Sequence, residues 1–437
     1  MPQHLHLDFE TFSEIDLRDV GAYRYAFDPS TEILCAAMAL GDEEPVVWVP
    51  GKNDSRELRP YFEAYKNPEV LIYCHNAMFE MAICQALSAK TFGRFSPNLS
   101  RFRCTMSLAR RASLPAKLET LGEALGLDNK KDNRGKALIK KFCMMQPAKK
   151  PTKAHPKGLP IRRIRPEDEP EAFAEFCEYC IADVKSEQEV ARRLAYFDEP
   201  INNANYSLDA VINARGVPVN LSALRHAQKL IDEETEIVSA KFLELTGFEV
   251  TQNARLLEWL NKGFPIFHQH EGLSFTDLQA ETVDNFLEEH TREEFCPQCK
   301  GAGVMNDASD IECEGIMSCC MCGGTSASLP VQALRLKQSI AYAAPKKVAK
   351  MLECAGPHDN KIRGMLAHHL ATTGRWGANL VQFQNMKRPT IKWSEDAYRD
   401  ICNGISRDML ELNYGPVLEV ISSCIRHFVD PSDDYLL

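Results

Sequence analysis

The stretch His4-Leu5-His6-Leu7-Asp8-Phe9-Glu10 alternates apolar and polar side chains and decides how the N-terminal part of the chain folds. Successive residues of a β-strand face opposite sides of a sheet, so the two leucines and the phenylalanine are predicted to enter a core. Asp8 and Glu10 then project together from the opposite face. Paired carboxylates are typical ligands of a divalent cation, although acidic residues on a strand face are more often simply solvated.

A second carboxylate-bearing segment begins at Val70. Residues 70–76 read as a buried strand, and apolar residues at helical spacing predict a helix from Ala77 to Leu87. Glu80 then lies in the first helical turn, with Asn76 or a neighbour as a plausible N-cap. A helix start on the surface is the alternative to a functional role.

A third segment, residues 173–184, has the apolar periodicity of a helix. Tyr179 and Asp183 are four residues apart and therefore project from one helical face. A phenol so placed is able to orient a water held by a carboxylate-bound metal.

In chain order these segments read D-x-E, N-x-x-F-E and Y-x-x-x-D. The chain thereby resembles the proofreading 3′–5′ exonuclease of family A (polymerase I type) DNA polymerases, particularly those of bacteriophages. The resemblance implies an RNase H-like (DEDD) α/β fold and a hydrolase using two Mg²⁺ (or Mn²⁺) ions. It implies that Asp8, Glu10, Glu80 and Asp183 bind the metal and that Tyr179 positions the water. The family more often has aspartate where this chain has Glu80.

The same resemblance points to DNA contacts near these carboxylates. Thr11, Phe12 and Asn76 are expected to contact the 3′ end of single-stranded DNA, although packing is the stronger expectation for Phe12. The net charge of −10 argues against general coating of nucleic acid, but residues 130–165 are strongly basic, with Asp132 the sole acidic residue. This Pro- and Gly-containing stretch is expected either to follow a phosphate backbone or to be a solvated loop.

The pattern around these motifs predicts a mixed sheet covered by helices. Strands are expected at 33–40 and 46–49, with a helix at 56–65. The resemblance implies an exonuclease domain at 1–200. It also implies a mostly helical thumb and incomplete palm at 201–437, with residues 209–220 at the junction.

A compact group of cysteines lies within the second region. Two C-x-x-C pairs have the spacing of a structural zinc ribbon, expected at about 293–326 and holding one Zn²⁺. The alternative is a reduced or redox-active cluster. Cys313 and Cys320 are possible substitutes for the favoured ligands, which are Cys296, Cys299, Cys319 and Cys322.

The segment T-G-R-W at 373–376 and the later Q-N at 384–385 resemble the family's motifs where palm meets thumb. The resemblance implies that Arg375, Gln384 and Asn385 contact primer–template DNA. Gly377 and Lys387 depart from the usual serine and proline. A turn with a structural tryptophan is the alternative for the first motif.

The family's catalytic palm motifs are missing after Arg375. The chain is therefore expected to be a truncation or one half of a split polymerase whose palm–fingers chain is a partner. The C-terminal surface from Ile391 to Leu437 is expected to be an apolar interface, with one helical face formed by Val417, Leu418, Val420, Ile421 and Ile425. The alternative function is a non-catalytic subunit that binds DNA and docks that partner.

Composition sets the remaining limits. The chain has 437 residues, 44% of them hydrophobic, which suffices for more than one buried core. Many of its 16 cysteines stand singly in apolar stretches and suit reduced, buried positions. The sequence has no membrane-spanning apolar run and no signal-peptide character at its start, so we expect a soluble protein, in the host cytoplasm if phage-encoded.

Overall fold

The chain divides into two compact units. A computed structural model describes residues 4–52, 56–88, 95–127, 134–148, 160–262, 275, 277–291, 304–306, 316–318, 329–340 and 343–430. The first unit comprises 1–221, 350–386 and 429–437, and the second comprises 222–349 and 387–428. The division into exonuclease and polymerase domains at residue 200 stays a prediction.

A five-stranded sheet forms the centre of the first unit. Its strands are β1 (His4–Phe12), β2 (Glu32–Leu40), β3 (Val46–Trp48), β4 (Leu71–Cys74) and β5 (Phe102–Cys104). The spatial order is β3-β2-β1-β4-β5. The pairs β1–β2 and β2–β3 are antiparallel, whereas β1–β4 and β4–β5 are parallel. The predicted mixed sheet is confirmed.

Eight helices belong to the same unit in its described part. They are α1 (Leu17–Ala26), α2 (Arg59–Lys66), α3 (Met78–Ala86), α4 (Thr105–Arg111), α5 (Leu118–Leu125), α6 (Arg134–Phe142), α7 (Pro170–Arg193) and α8 (Pro200–Arg215). A 3₁₀ turn, Arg56–Leu58, precedes α2 in the region predicted as one helix.

Helices cover both faces of the sheet. Leu5, Leu7 and Phe9 lie in a core with residues of α1, α2 and α3, as their alternation predicts. The opposite face of the sheet packs against α6 and α7 through a second core. Asp8 and Glu10 share that second face because they alternate with the core residues along β1.

Small residues on β2 allow α7 to lie close to this face. Cys35, Ala37 and Ala39 belong to the core beneath α6 and α7. Ala37 is the partner of Asp8 and Cys35 the partner of Glu10 in the strand pairing. Since these neighbours are small, side chains of α7 are able to approach the two carboxylates.

The first unit also contains pairs of very short strands. Val217–Pro218 pairs with Lys361–Ile362, and Leu366–Ala367 pairs with Gly377–Ala378. A 3₁₀ turn follows at Phe383–Asn385. These segments fold the 366–385 region into turns.

The second unit is mostly helical. Its largest described core contains Phe242, Leu256, Phe286 and Leu334. A short antiparallel hairpin pairs Val304–Asn306 with Ile316–Ser318. The remaining helices among the described residues are Leu221–Thr246, Asn253–Lys262, Ala280–Thr291, Leu329–Ser339, Ala343–Cys354, Ser394–Cys402, Arg407–Tyr414 and Val417–Cys424.

One local prediction is wrong. The proposed interface at 417–425 is not an exposed face, since Val417, Val420 and Ile421 are fully buried within the chain. The helix Val417–Cys424 packs on its neighbours Ser394–Cys402 and Arg407–Tyr414, which satisfies its apolar residues internally. The N-cap of α3 is Ala77, the neighbour of Asn76, and it makes no side-chain cap hydrogen bond; Asn76 itself adopts a left-handed backbone with φ 65°.

Candidate metal centre

Strand β1 and helix α7 bring the first group of predicted residues together. Asp8 and Glu10 face α7, which carries Tyr179 and Asp183 one helical turn apart. Asp183 and Glu10 interact electrostatically, as do Asp183 and Asp8. The i, i+4 spacing on α7 therefore directs both of its polar side chains toward the strand carboxylates.

Helix α3 supplies the fourth predicted carboxylate. Glu80 lies in the first turn of α3 and its side chain is only 2% exposed. Among the described residues its Oε2 atom has no hydrogen-bond partner. The charge of Asp8 acts on Glu80, so these two groups also share one electrostatic environment. We call Asp8, Glu10, Glu80 and Asp183 the carboxylate cluster.

Burial raises every pKa in the carboxylate cluster, and nearby negative charges add to this effect. Burial raises the pKa of Asp8 to about 6, and burial with the charge of Asp8 raises the pKa of Asp183 to about 7. The pKa values of Glu10 and Glu80 lie well above their ordinary range because both groups are buried and because the negative charge of Asp8 acts on them. Four carboxylates at close quarters resist ionisation because their charges lack compensation.

The carboxylate cluster has the properties of a site for divalent cations. It offers hard oxygen donors, and among the described residues Oε2 of the buried Glu80 has no hydrogen-bond partner. The groups that surround its carboxylates are mainly other acids and thiols. A bound cation would remove the repulsion and satisfy the oxygen atoms. These residues therefore fit the magnesium ions that the sequence resemblance implies.

Tyr179 is held against the carboxylate cluster by close packing. Its ring is stacked on Phe176, with 6.4 Å between ring centroids and 2° between planes. On α6, Gly135 leaves so little space that a Cβ built there would lie 2.2 Å from Tyr179 Cε2. Burial first, and then the carboxylate of Asp183, raise the pKa of Tyr179, so the phenol keeps its proton at neutral pH.

Sequence reasoning missed several residues of this site. The Cys180 thiol donates to Asp8 Oδ2 over 3.4 Å, and the Cys143 thiol donates to Glu10 Oε2 over 3.7 Å. Nδ1 of His6 lies 2.5 Å from Oε2 of the buried Glu187. Helical spacing was a signal for both residues of α7, since Cys180 lies three residues before Asp183 and Glu187 lies four residues after it.

The predicted DNA-contacting residues near β1 have different surroundings. Thr11 is buried and hydrogen-bonds the Tyr25 hydroxyl over 2.9 Å. Phe12 is buried in the core and is covered by the Arg163 guanidinium, 3.8 Å from its ring centroid. Asn76 is exposed where β4 ends. Packing thus accounts for Phe12, and its DNA contact stays a prediction.

The T-G-R-W segment forms a turn fixed by its tryptophan. Trp376 Nε1 donates to Oδ1 of the buried Asp209 on α8 over 2.7 Å. Burial raises the pKa of Asp209 to about 6, although hydrogen bonds from Trp376 and Asn213 oppose this. Arg375 itself is exposed, as are Gln384 and Asn385.

Comparison with known proteins adds independent information. The chain is 30% identical over 433 residues to "DNA polymerase" of Bacillus phage SP02, covering 98% of this chain and 58% of that protein.

The chain is similar to a phage DNA polymerase.

It therefore spans somewhat over half the length of that curated relative. The chain is also similar to a solved structure, "POL domain of Pol1 from M. smegmatis complex with DNA primer-template and dNTP". The matched region covers 89% of this chain and 53% of the chain in that structure. It has a TM-score of 0.44 and 10% identity. No family model matches the chain.

The remaining predicted sites are only partly within the described residues. Of the basic stretch, 134–148 and 160–165 are described, and there Lys141 pairs with Glu169 while Arg163 pairs with Glu32. The predicted zinc ligands Cys296, Cys299, Cys319 and Cys322 lie outside the described residues, as do Cys313 and Cys320. Within the part of the chain that is described, no helix has the length and apolarity to cross a membrane.

Proposed function

We propose that the first unit is an RNase H-like exonuclease domain that removes nucleotides from the 3′ end of DNA. The observation that carries the proposal is the convergence of Asp8 and Glu10 with Asp183 and Tyr179 in one half-buried site. The strand order β3-β2-β1-β4-β5, with three antiparallel strands followed by parallel ones, supports the fold assignment. Similarity to a phage DNA polymerase supports a role in replication.

The reaction is hydrolysis of the terminal phosphodiester. Water attacks phosphorus, the bond to the 3′ oxygen breaks, and a nucleoside 5′-monophosphate leaves the shortened strand. When bound, two divalent cations held by the carboxylate cluster supply Lewis-acid stabilisation of the attacking and leaving oxygens. The protein's contribution is a negatively charged site that is preorganised around those oxygens.

Tyr179 is suited to orienting the attacking water. Its phenol keeps a proton to donate or share because burial raises its pKa, and Phe176 and Gly135 restrict the movement of its ring. Restriction matters because a reacting group gains rate from being held in place before the reaction. Tyr179→Phe should reduce the rate less than loss of a carboxylate, since other groups also hold the water.

We further propose that the turn at 373–376 contacts primer–template DNA. Arg375, Gln384 and Asn385 are exposed and available to a phosphate backbone. The phage relative extends beyond the matched region, so we propose that a palm–fingers polypeptide supplies the synthetic activity. Restoration of templated synthesis on mixing the two chains would test this.

A structural zinc ribbon remains part of the proposal. The hairpin of Val304–Asn306 and Ile316–Ser318 lies in sequence between the two C-x-x-C pairs. Such a hairpin brings its two ends together, which suits four thiolates around one ion. Its role is proposed to be local stability.

The direction and products of digestion test the exonuclease proposal. Full-length protein is incubated with single-stranded DNA labelled at either end, in Mg²⁺ and in EDTA. We expect Mg²⁺-dependent release of mononucleotides from the 3′ end and loss of that release in Asp8→Ala. DNA binding without digestion by the wild-type protein would instead favour the non-catalytic docking subunit.

A further inference from the structure

Cys180 places a sulfur atom inside the carboxylate cluster. Its side chain is fully buried, and Sγ lies 3.4 Å from Asp8 Oδ2. Ligand atoms of Cys180, Asp8 and Glu10 all lie within 4.8 Å of one another. One sulfur and two carboxylates are thus close enough to one another to ligate a single cation.

A second observation indicates that this space is built for a ligand. Glu80 Oε2 is buried and, among the described residues, has no hydrogen-bond partner, while the charge of Asp8 acts on its carboxylate. A buried carboxylate oxygen without a partner carries a free-energy cost that a cation would remove. The Glu80 carboxylate is therefore left unsatisfied by the described residues, whereas Asp8 and Glu10 accept hydrogen bonds from thiols.

Sulfur and oxygen ligands select different cations. Mg²⁺ prefers hard oxygen donors, whereas thiolates favour Zn²⁺, Cd²⁺ and Co²⁺. With Mg²⁺ in the site, the Cys180 thiol keeps its proton and its hydrogen bond to Asp8. With a thiophilic cation, the thiol releases its proton to solvent and the sulfur binds the metal.

We propose that Cys180 makes the carboxylate cluster a site for a thiophilic divalent cation, held by its sulfur together with Asp8 and Glu10 in competition with Mg²⁺. This inference rests on the proposed metal-dependent function of the cluster. It identifies Cys180 as a residue that determines metal selectivity. The thiol of Cys143 also contacts Glu10, but it stands outside the group whose ligand atoms lie within 4.8 Å.

The matched variants are Cys180→Ser and Cys177→Ser. Serine at 180 retains a hydroxyl that donates to Asp8 and removes only the sulfur. Cys177 lies three residues earlier on α7, is also buried, and makes its thiol contact with Cys35. Its substitution thus controls for general loss of a buried thiol on α7.

Cobalt absorption is the direct readout. EDTA-treated full-length protein is titrated with Co²⁺, and the spectrum of each variant is subtracted from that of the wild type. This subtraction cancels any contribution from the cysteines at 296–322. We expect a near-ultraviolet sulfur-to-cobalt charge-transfer band in the difference for Cys180→Ser and none in that for Cys177→Ser. Zn²⁺ affinity should fall on the order of tenfold in Cys180→Ser, with Mg²⁺ binding little changed.

Identical cobalt spectra for the wild type and Cys180→Ser would overturn the inference. If Cys180→Ser does not fold, the cobalt-loaded wild type is titrated with Mg²⁺ instead. A charge-transfer band whose intensity does not change at all with Mg²⁺ would refute a site shared by the two cations. Mg²⁺-dependent digestion without the band would refute this inference alone. The band without digestion would refute the nuclease proposal alone.

Discussion

Gly135→Ala should displace Tyr179 and slow the proposed exonuclease while leaving the protein folded. A Cβ at this position would lie 2.2 Å from Tyr179 Cε2 and 2.7 Å from Cζ. Since carbon atoms pack at about 3.5–4.0 Å, the ring must withdraw by about 1.3–1.8 Å. A displacement of about 1 Å is able to cost roughly a hundredfold in rate, and we expect a loss of that order in kcat.

The stability change should be smaller than the change in rate. Alanine favours a helix over glycine by about 1 kcal/mol, whereas overpacking costs about 1–3 kcal/mol. The net destabilisation should therefore be at most about 2 kcal/mol, which urea unfolding measures.

Gly122→Ala provides the matched control within helix α5. A Cβ at Gly122 would meet Leu127 at 3.8 Å, an ordinary contact, so kcat should be unchanged. Single-turnover digestion of labelled single-stranded DNA measures each rate. The double variant Gly135→Ala/Tyr179→Ala should be no slower than Tyr179→Ala, because removal of the ring removes the clash. Wild-type kcat in Gly135→Ala would refute the reasoning.

Three further predictions concern the buried charges and the cysteines. Trp376→Phe removes a donor to the buried Asp209 and should lower the free energy of unfolding in urea by about 1–3 kcal/mol. Trp393→Phe, at an exposed position, should change it by less than about 0.5 kcal/mol, and equal losses of stability in the two variants would contradict this prediction. Asp8 and Asp183 have folded pKa values of about 6 and about 7, above their ordinary value of 3.8, so their contribution to stability in EDTA should be greatest below about pH 4 and should be lost as pH rises to about 7. Mg²⁺ at pH 8 should raise Tm, and a Tm that does not depend on the metal would count against the site. Metal analysis should find one zinc per chain held by the 296–322 cysteines, and removal of that zinc should leave most exonuclease activity intact. A protein without zinc whose cysteines titrate freely with a thiol reagent would reject the ribbon.

Local periodicity was sufficient to predict the central features of the fold. Alternation along residues 4–10 predicted which side chains enter the core, because the two-residue period of a strand depends on neighbouring residues alone. The i, i+4 spacing of Tyr179 and Asp183 likewise predicted that they share a helical face. Both predictions need no knowledge of distant contacts.

Features that depend on distant contacts were not predictable in the same way. Gly135 is 44 residues from Tyr179, and helix propensity gives no reason to expect their close approach. The apolar residues at 417–425 were misread because periodicity identifies a buried face without identifying what buries it. The periodicity of residues 173–184 predicted a helix but no role for Cys180, and only the proximity of β1 reveals the contact of Cys180 with Asp8.

The rate of Mg²⁺-dependent release of mononucleotides from 3′-labelled single-stranded DNA tests the central proposal most directly. Wild-type protein and Asp183→Asn, which keeps the size of the side chain but removes its charge, are compared at saturating Mg²⁺ after equal Tm has been verified. We expect digestion by the wild type and a loss of at least about a hundredfold in the variant. Equal rates for the two proteins, or no digestion by the wild type, would contradict the assignment of the carboxylate cluster as an exonuclease site.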